Sequence, residues 1–521
     1  GIRDKLVLEF RRVLFRSATV ALTLGLAFAI PKGFFPAQDI GLVQALADAP
    51  QSVSPQRMQE LERQIDAIVR KDPAVEGVAS WTGSTGGNGF AQTANTARYF
   101  IVLKPRSERN LSAQRVIARL DKQLDGISDA TLHMNATQDI TVGGRNSRGN
   151  FEYTLQDPDP VELHTWARRV LAAMHKLPQI ESVASDLQDE APQLSLDIDR
   201  GKAATLGVSI QAIDDTLNDA YGQRQITQYF TQAGTYPIIL EITPDQLHRV
   251  ASLGDLYVKA SLTDSLVRLS TVVDVDTRKV GPLSVTHQGQ FPAVTLSFNL
   301  KPGVSLGQAV NAIHRAVAAI HMPASVSGKF QGNAGAFQKS LSSLPWLVVL
   351  SLLAVYVILG VLYESFSRPL VILSALPAAG LGALLALYAA RLDLSTIGII
   401  GIILLIGIVE KNGIMLVDFA LKAERERGSG TLEAIREACL LRLRPILMTT
   451  AAAMLAGVAL AAAHGTGSEF QRPLGFAIVG GLLLSQLLTL YTTPVIHVWL
   501  GQLRSRHRRP ETPTHRPVAE R

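Results

Sequence analysis

The sequence predicts an α-helical membrane bundle of about six spanning helices joined to an α+β outer domain, itself two ferredoxin-like split βαβ subdomains with a β-rich insertion in the second. Three observations carry this prediction. Long apolar runs crowd the C-terminal part of the chain, about 300 residues of ordinary soluble composition precede them, and that soluble stretch contains an internal repeat. Composition agrees: 47% of the 521 residues are hydrophobic and only 18% charged, against about 25% charged in a soluble domain.

Runs of roughly 20 apolar residues, the length that crosses about 30 Å of hydrocarbon, occupy 344–362, 370–390, 396–420, 445–463 and 474–500. A shorter run at 18–30 makes a sixth. Basic residues give the orientation. Lys422, Arg425, Arg427, Arg436, Arg442 and Arg444 crowd one link; Arg504, Arg506, Arg508 and Arg509 follow the last run; Arg3, Lys5, Arg11, Arg12 and Arg16 precede the first. By the positive-inside rule both ends and the basic link are cytoplasmic and the soluble domain is outside. The net charge of +6 is therefore topological, and no nucleic-acid partner is expected. The single Cys, Cys439, falls in the basic link, so the outer domain holds itself together without disulfides. A tail at 501–521, with Pro510, Pro513 and Pro517 among charges, reads as basic, cytoplasmic and disordered.

The two copies of the repeat lie 105 residues apart, one starting at Ser54 and the other at Asp159. Ser54-Pro55 and Asp159-Pro160 each pair a cap residue with Pro at the first helical position. Apolar stripes follow, Met58, Leu61, Ile65 and Val69 in one and Leu163, Trp166, Val170 and Met174 in the other, and then "VEGVAS" and "IESVAS". Strands at 99–103 and 193–198 and helices opening at Ser112 and Ser209 continue each unit. The β-rich stretch 221–285 then interrupts the second, before "FPAVTLSFNL", a helix from Ser305 and "ASVSGKF" complete it. In the first unit, the Gly-rich segment 82–95 lacks the strand-loop-helix context of a phosphate cradle and reads as a gating or lining loop.

The chemistry lies in "GIVEKNGIMLVDF" (407–419), within the apolar run 396–420. Lys411 sits about 4–5 Å from the middle of that run, where a charge costs about 2.5–3.5 kcal/mol and faces a bundle interior. It shares a helical face with Leu404, Gly407, Met415 and Asp418; Glu410 points about 100° away. Asp418, near the cytoplasmic end, can snorkel; a buried ammonium needs a carboxylate. No other apolar run supplies Asp or Glu at mid-depth. The expected partner is therefore outside this sequence. On the next run Arg442 and Thr449 share a face, with Arg444 and Thr450 beside them and Pro445 suited to a first helical turn. Arg444 reads as an interfacial anchor, and Arg442 as either an anchor or a buried partner.

These residues resemble the resistance-nodulation-division (RND) permeases, the proton-driven exporters of Gram-negative inner membranes. "GFFPAQDIG", "LGVLYESFSRPL", "GIVEKNGIMLVDFA", "LRLRPILMTT" and "PLGFAIVGGLLLSQLLTLYTTPV" occur in family order between about residues 34 and 500. "ITVGGRNS", "YGQRQI", "PLSVTHQG" and "LLIGIVEKN" are most similar to a multidrug subtype of the hydrophobe/amphiphile type. The resemblance implies the C-terminal half of a longer permease. Lys411 would pair with two Asp residues of the missing N-terminal half, with Arg442 and Thr449 completing a proton relay. It further implies other permease protomers in a homo- or heterotrimer, a periplasmic adaptor, a TolC-type outer-membrane channel, and no cofactor. The divisions would be an atypical segment 1–17, a shortened first span 18–34, porter subdomains 35–143 and 144–220 with 288–335, a docking insertion 221–287, five spans over 336–500 and the tail 501–521.

Trp81, Phe90 and Phe100 are the substrate-cleft candidates, Phe100 matching an aromatic cleft position best; taken singly, each reads more readily as core than as ligand contact. The 82–95 loop has only Phe90 where better-known drug pumps carry several Phe. Glu410 departs from the family, which has a neutral or basic residue before the Lys, and residues 1–17 do not match it. A heavy-metal exporter on this scaffold would need clustered soft ligands, whereas the outer domain has only Met58, Met134, Met174 and Met322. A non-transporting half-protein or secretion accessory is the other alternative. No nucleophile or metal-ligand pattern points to an enzyme.

Overall fold

The computed structural model describes residues 17–83, 93–143, 147–247, 249–261, 264–427 and 430–507. Phe90, nearly all of the atypical opening segment and the last residues of the basic tail lie outside the described residues. The chain divides into one unit of residues up to 187 and from 286 onward, and a second of residues 188–285.

Helix α1 (Ser17–Ala29) is apolar but shorter than a full span. Then β1 (Leu42–Asp48), α2 (Pro55–Val69), β2 (Val75–Thr82), β3 (Thr96–Leu103), α3 (Ala113–Leu124) and β4 (Thr131–Ala136) run in βαββαβ order. They form an antiparallel sheet in the order β2-β3-β1-β4. The Ser54 hydroxyl accepts a hydrogen bond from the Arg57 N–H, and Pro55 opens α2 as the sequence predicts. Met58, Leu61, Ile65 and Val69 are all buried. They pack with Tyr99 and Ile101 of β3 and Val116 and Leu120 of α3. Because strand side chains alternate, Arg98, Phe100 and Val102 project from the other face.

The second subdomain opens with β5 (Phe151–Gln156), α4 (Pro160–His175) and β6 (Ile180–Ser185). Asp159 caps α4, and Leu163, Val170 and Met174 are buried; Ala167, not Trp166, completes the stripe. Trp166 borders the core, with the Arg169 guanidinium 4.7 Å from its ring centroid.

After β6 the chain enters the inserted unit. It contains β7 (Ala191–Ile198), α5 (Ile210–Tyr221), the hairpin β8 (Arg224–Phe230) and β9 (Thr235–Leu240), and β10 (Val273–Gly281). β7 pairs with β10, and Ile213 of α5 packs with Val258, Leu269 and Val272. The strand and helix that the sequence assigns to the second subdomain thus belong to the insertion, which starts at 188 instead of 221. Ser209 caps α5 just as Ser112 caps α3. Such local signals recur without fixing which sheet a strand joins.

The second sheet is completed by β11 (Phe291–Leu300) and β12 (Ser327–Gln331), with α6 (Leu306–Ala319) between them. β11 lies between β5 and β6, and β12 flanks β5. The resulting order, β6-β11-β5-β12, repeats that of the first sheet. A capping box between Ser305 and Gln308 starts α6.

α7 (Gly332–Tyr363) begins at the residue after β12, and its first turns hold Ala334 and Phe337 in the second subdomain's core. It is followed by α8 (Arg368–Leu373), α9 (Leu376–Ala389), α10 (Thr396–Arg427), α11 (Thr431–Ala461) and α12 (Ser468–His507). With α8 and α9 taken as one, five described helices are long and apolar enough to cross a membrane, and α1 is a shorter apolar helix. Pro445 does not open a helix as the sequence predicts; it lies inside α11. The apolar run marks where α11 can enter hydrocarbon, while its charged first turns were already helical. Interior Pro is tolerated in such helices because neighbours satisfy the freed carbonyl. α12 likewise continues to His507, past the expected start of a disordered tail.

Glycines set the closest helix contacts, as in other membrane bundles. A Cβ on Gly480 of α12 would lie 2.5 Å from the Gly382 carbonyl of α9, and one on Gly457 of α11 would lie 2.9 Å from Val479 Cγ2 of α12.

Candidate functional site

α10 presents Lys411 on a face that this chain leaves uncovered. Leu404 is 49% exposed, a Cβ on Gly407 would meet nothing within 4 Å, and Lys411 and Asp418 are both exposed. This is the face the helical spacing predicts, except that Met415 packs against the cluster around Ile435 and Ala438. Among the described residues Lys411 has no ion pair.

On α11, the Arg442 guanidinium lies 5.0 Å from the Phe419 ring centroid of α10, and its Nε is buried without a hydrogen bond. Thr449 is exposed and donates to the Ile446 carbonyl of its own helix at 3.2 Å. Arg442 is therefore packed against α10, but Lys411, Arg442 and Thr449 are not joined directly. Their sequence neighbours make the bridge. Asn412 Nδ2 donates to Thr450 Oγ1 at 3.0 Å, and Thr450 donates to Gln486 Oε1 at 2.9 Å. This chain ties α10, α11 and α12 together, and Thr450 is 3% exposed. The sequence reading passed over Asn412 and Gln486; the available signal was an amide inside each apolar run.

In the outer part, Trp81 and Phe100 stack with ring centroids 5.5 Å apart and planes at 28°. Both are half-buried on the first sheet. The register sets Trp81 across from Arg98, and Phe100 across from Ala79 and Gln44. Two cavities separate the two split subdomains. The smaller, about 230 Å³, is polar and lined by Arg98, His133, Asn135, Glu152 and Asn333 among others. The larger, about 1090 Å³, mixes Phe34, Phe35, Ile117 and Phe151 with Asp121, Asp125 and Glu181. Trp81 and Phe100 line neither of these two cavities.

Arg148 bridges the subdomains by a bidentate pair to Asp48 of β1, Nε to Oδ2 at 2.5 Å and a terminal nitrogen to Oδ1 at 2.9 Å. Burial lowers the Arg148 pKa, but the hydrogen bond and charge of Asp48 outweigh it and the net shift is upward. His133 Nε2 lies 3.5 Å from the same carboxylate. Burial nonetheless holds the His133 pKa below its ordinary value, with Arg148 adding to the effect and Asp48 opposing it. Burial also pulls down the Arg98 pKa. At the larger cavity, Asp121 is pushed up to about 6, by burial first and then by Glu181 and Asp125.

Among the described residues no group of three or more His, Cys, Asp or Glu is assembled to hold a metal ion. The thioethers are used in packing: Met58 and Met134 lie in the first subdomain's core, Met174 in the second's, and Met322 borders the latter.

Comparison with known proteins agrees with this architecture. The family model for the AcrB/AcrD/AcrF family matches residues 5–501. Two crystal forms of a heavy metal efflux pump superpose with TM-scores of 0.82 and 0.83 at 22% identity, covering 94% and 96% of this chain and 50% and 52% of theirs. The chain thus spans about half the length of those structures, and identity at this level establishes the shared fold. The chain belongs to the AcrB/AcrD/AcrF family of RND efflux permeases.

Proposed function

We propose that the chain is the C-terminal half of an inner-membrane permease that uses the proton motive force to expel amphiphilic compounds from a Gram-negative cell. The observation that carries this reading is the uncovered face of α10: an ammonium at mid-span that, among the described residues, pairs with no carboxylate and has open space around it. A buried ammonium is stable only against a counter-charge. The N-terminal half would supply it as an acidic pair, and protonating that pair would release Lys411 and rearrange the bundle. One charge crossing 100 mV yields about 2.3 kcal/mol for this work. Arg442 and Thr449 complete the relay in this reading, with Asn412, Thr450 and Gln486 holding α10 in register.

The two split subdomains then act as periplasmic porter subdomains, and the insertion as the docking element toward a TolC-type channel and a periplasmic adaptor, in a trimer of permease protomers. Both ends of the chain are cytoplasmic on this reading. The motifs quoted above favour a multidrug permease like the MdtC subunit of MdtABC, then MdtB. A metal-exporting reading is favoured less, because the methionines that would serve as soft ligands are used as core. Substrate enters between the subdomains in this reading, and the Trp81–Phe100 stack on the first sheet is the aromatic area offered to it.

Lys411→Met in the complete permease is expected to abolish efflux of amphiphilic dyes while leaving membrane abundance and trimer assembly unchanged. Wild-type efflux by that variant at normal abundance refutes the relay.

A further inference from the structure

Beside Lys411, α10 carries a second ionisable group that the relay does not use. Glu410 is 5% exposed, and its Oε1 is shut off from water with no hydrogen bond. It lies on a different side of the helix from Lys411. Ile414, Val417 and Leu421 continue its stripe at helical spacing, and they pack with Leu359 of α7, Val371 and Ile372 of α8 and Ile496 of α12. One turn along, a Cβ on Gly413 would lie 3.2 Å from Ile372 Cγ2. The side of α10 that bears Glu410 is thus covered by this chain's own helices, whereas the Lys411 face is open.

Among the described residues no charged group of those helices pairs with it. α8 contributes Arg368, four residues beyond Ile372 and on the far side of it from Glu410, about 10 Å away along the axis by the helical rise. α9 has no charged residue. Tyr363 of α7 packs with Val417 and Leu421, about 10–16 Å further along α10, and Lys339 lies near the opposite end of α7. On α12, Glu469 and Arg472 occupy the first turns, and His497 follows Ile496, which joins the Val417 cluster. Arg442 of α11 sits on Phe419, nine residues away. On α10 itself Lys411 points about 100° away, and Asp418 shares the Lys411 face. A carboxylate with one oxygen shut off from water and without a hydrogen bond holds a proton more readily than it holds a charge.

We propose that Glu410 is a proton-binding site of the membrane bundle in its own right, its carboxyl protonated in this conformation and independent of Lys411. The site goes beyond the relay proposed above and does not depend on it. Its ligand is the hydrogen ion; ionisation returns the proton to water and places an uncompensated charge against α8.

Infrared spectroscopy of the complete permease in lipid vesicles at neutral pH reads this directly, through the carbonyl stretch of a protonated carboxylic acid. A band is expected in the wild type that is lost in Glu410→Gln and kept in Lys411→Met. Glu410→Leu, which suits an apolar pocket, is a second variant and is expected to lose the same band. A wild-type spectrum without such a band, or one that Glu410→Gln and Glu410→Leu leave unchanged, overturns the proposal. The band is read without any flux, so its outcome is separate from whether Lys411→Met stops efflux.

Discussion

Gly480→Ala tests the packing on which the membrane bundle rests. In the native contact a Cβ at 480 would lie 2.5 Å from the Gly382 carbonyl oxygen and close to the Ala386 methyl. An ordinary C···O contact is about 3.3–3.6 Å, so α9 and α12 must part by at least roughly 0.8–1.1 Å at the crossing, and further to clear the nearer Ala386 methyl, to accept one methyl group. Overpacking of this kind costs about 1–3 kcal/mol. Replacing Gly by Ala inside a helix also returns about 1 kcal/mol of propensity wherever it is done. The matched control is Gly360→Ala on α7, where a Cβ would meet nothing within 4 Å. Propensity cancels between the two variants, and the contact term is what remains. The assay is the apparent melting temperature of the complete permease in detergent. At about 2–4 °C per kcal/mol for a cooperative unit of about 150–250 residues, Gly480→Ala is expected to melt roughly 2–12 °C below Gly360→Ala if the bundle unfolds as such a unit. Equal melting of the two variants would falsify the close crossing of α9 and α12.

Two further expectations concern the outer subdomains. Asp48→Asn leaves the Arg148 side chain, 13% exposed, without its carboxylate; breaking one side of a buried pair costs about 3–5 kcal/mol, and the residual exposure puts this case at the lower end. The measurement is again melting of the complete permease, and an unchanged value contradicts the bridge. Asp121 is raised from 3.8 to about 6, so the folded state binds its proton more tightly than the unfolded state does. Its contribution is present below about pH 4 and is lost as pH rises through about 6. Asp121→Asn should remove that decline, by under about 1 kcal/mol because the residue, although partly desolvated at the cavity, keeps much of its surface in water, which screens its charge; a stability profile between pH 4 and 7 identical to the wild type rejects the assignment.

Much of the fold was legible because its local signals are strong. Ser54-Pro55 and Asp159-Pro160 announce helix starts through a side-chain oxygen and a missing N–H, and the stripe from Met58 to Val69 is buried residue for residue. The apolar runs located the membrane helices for the same reason, since hydrocarbon demands a minimum length. What failed was non-local. β7 carries no mark that it pairs with β10 instead of joining the second sheet, so the insertion boundary was misplaced by a strand and a helix. Pro445 looked like a helix start because helix propensity says nothing of the charged turns before it. At the candidate site, the Lys411 face followed from helical spacing alone. The Asn412–Thr450–Gln486 bridge did not, because it spans three helices whose rotations are set by packing.

The inserted unit begins and ends at neighbouring points: Gln188 pairs with Ser284, and the Leu283 N–H donates to the Gln188 carbonyl. A segment of nearly a hundred residues is thereby closed at its two ends by its own backbone. Its core, around Ile213, Val258 and Leu269, is its own. Selection can therefore rewrite the exposed β8–β9 hairpin without disturbing that core, and a chimera cut at the ends of the unit would exchange one relative's insertion for another's with only two new peptide junctions.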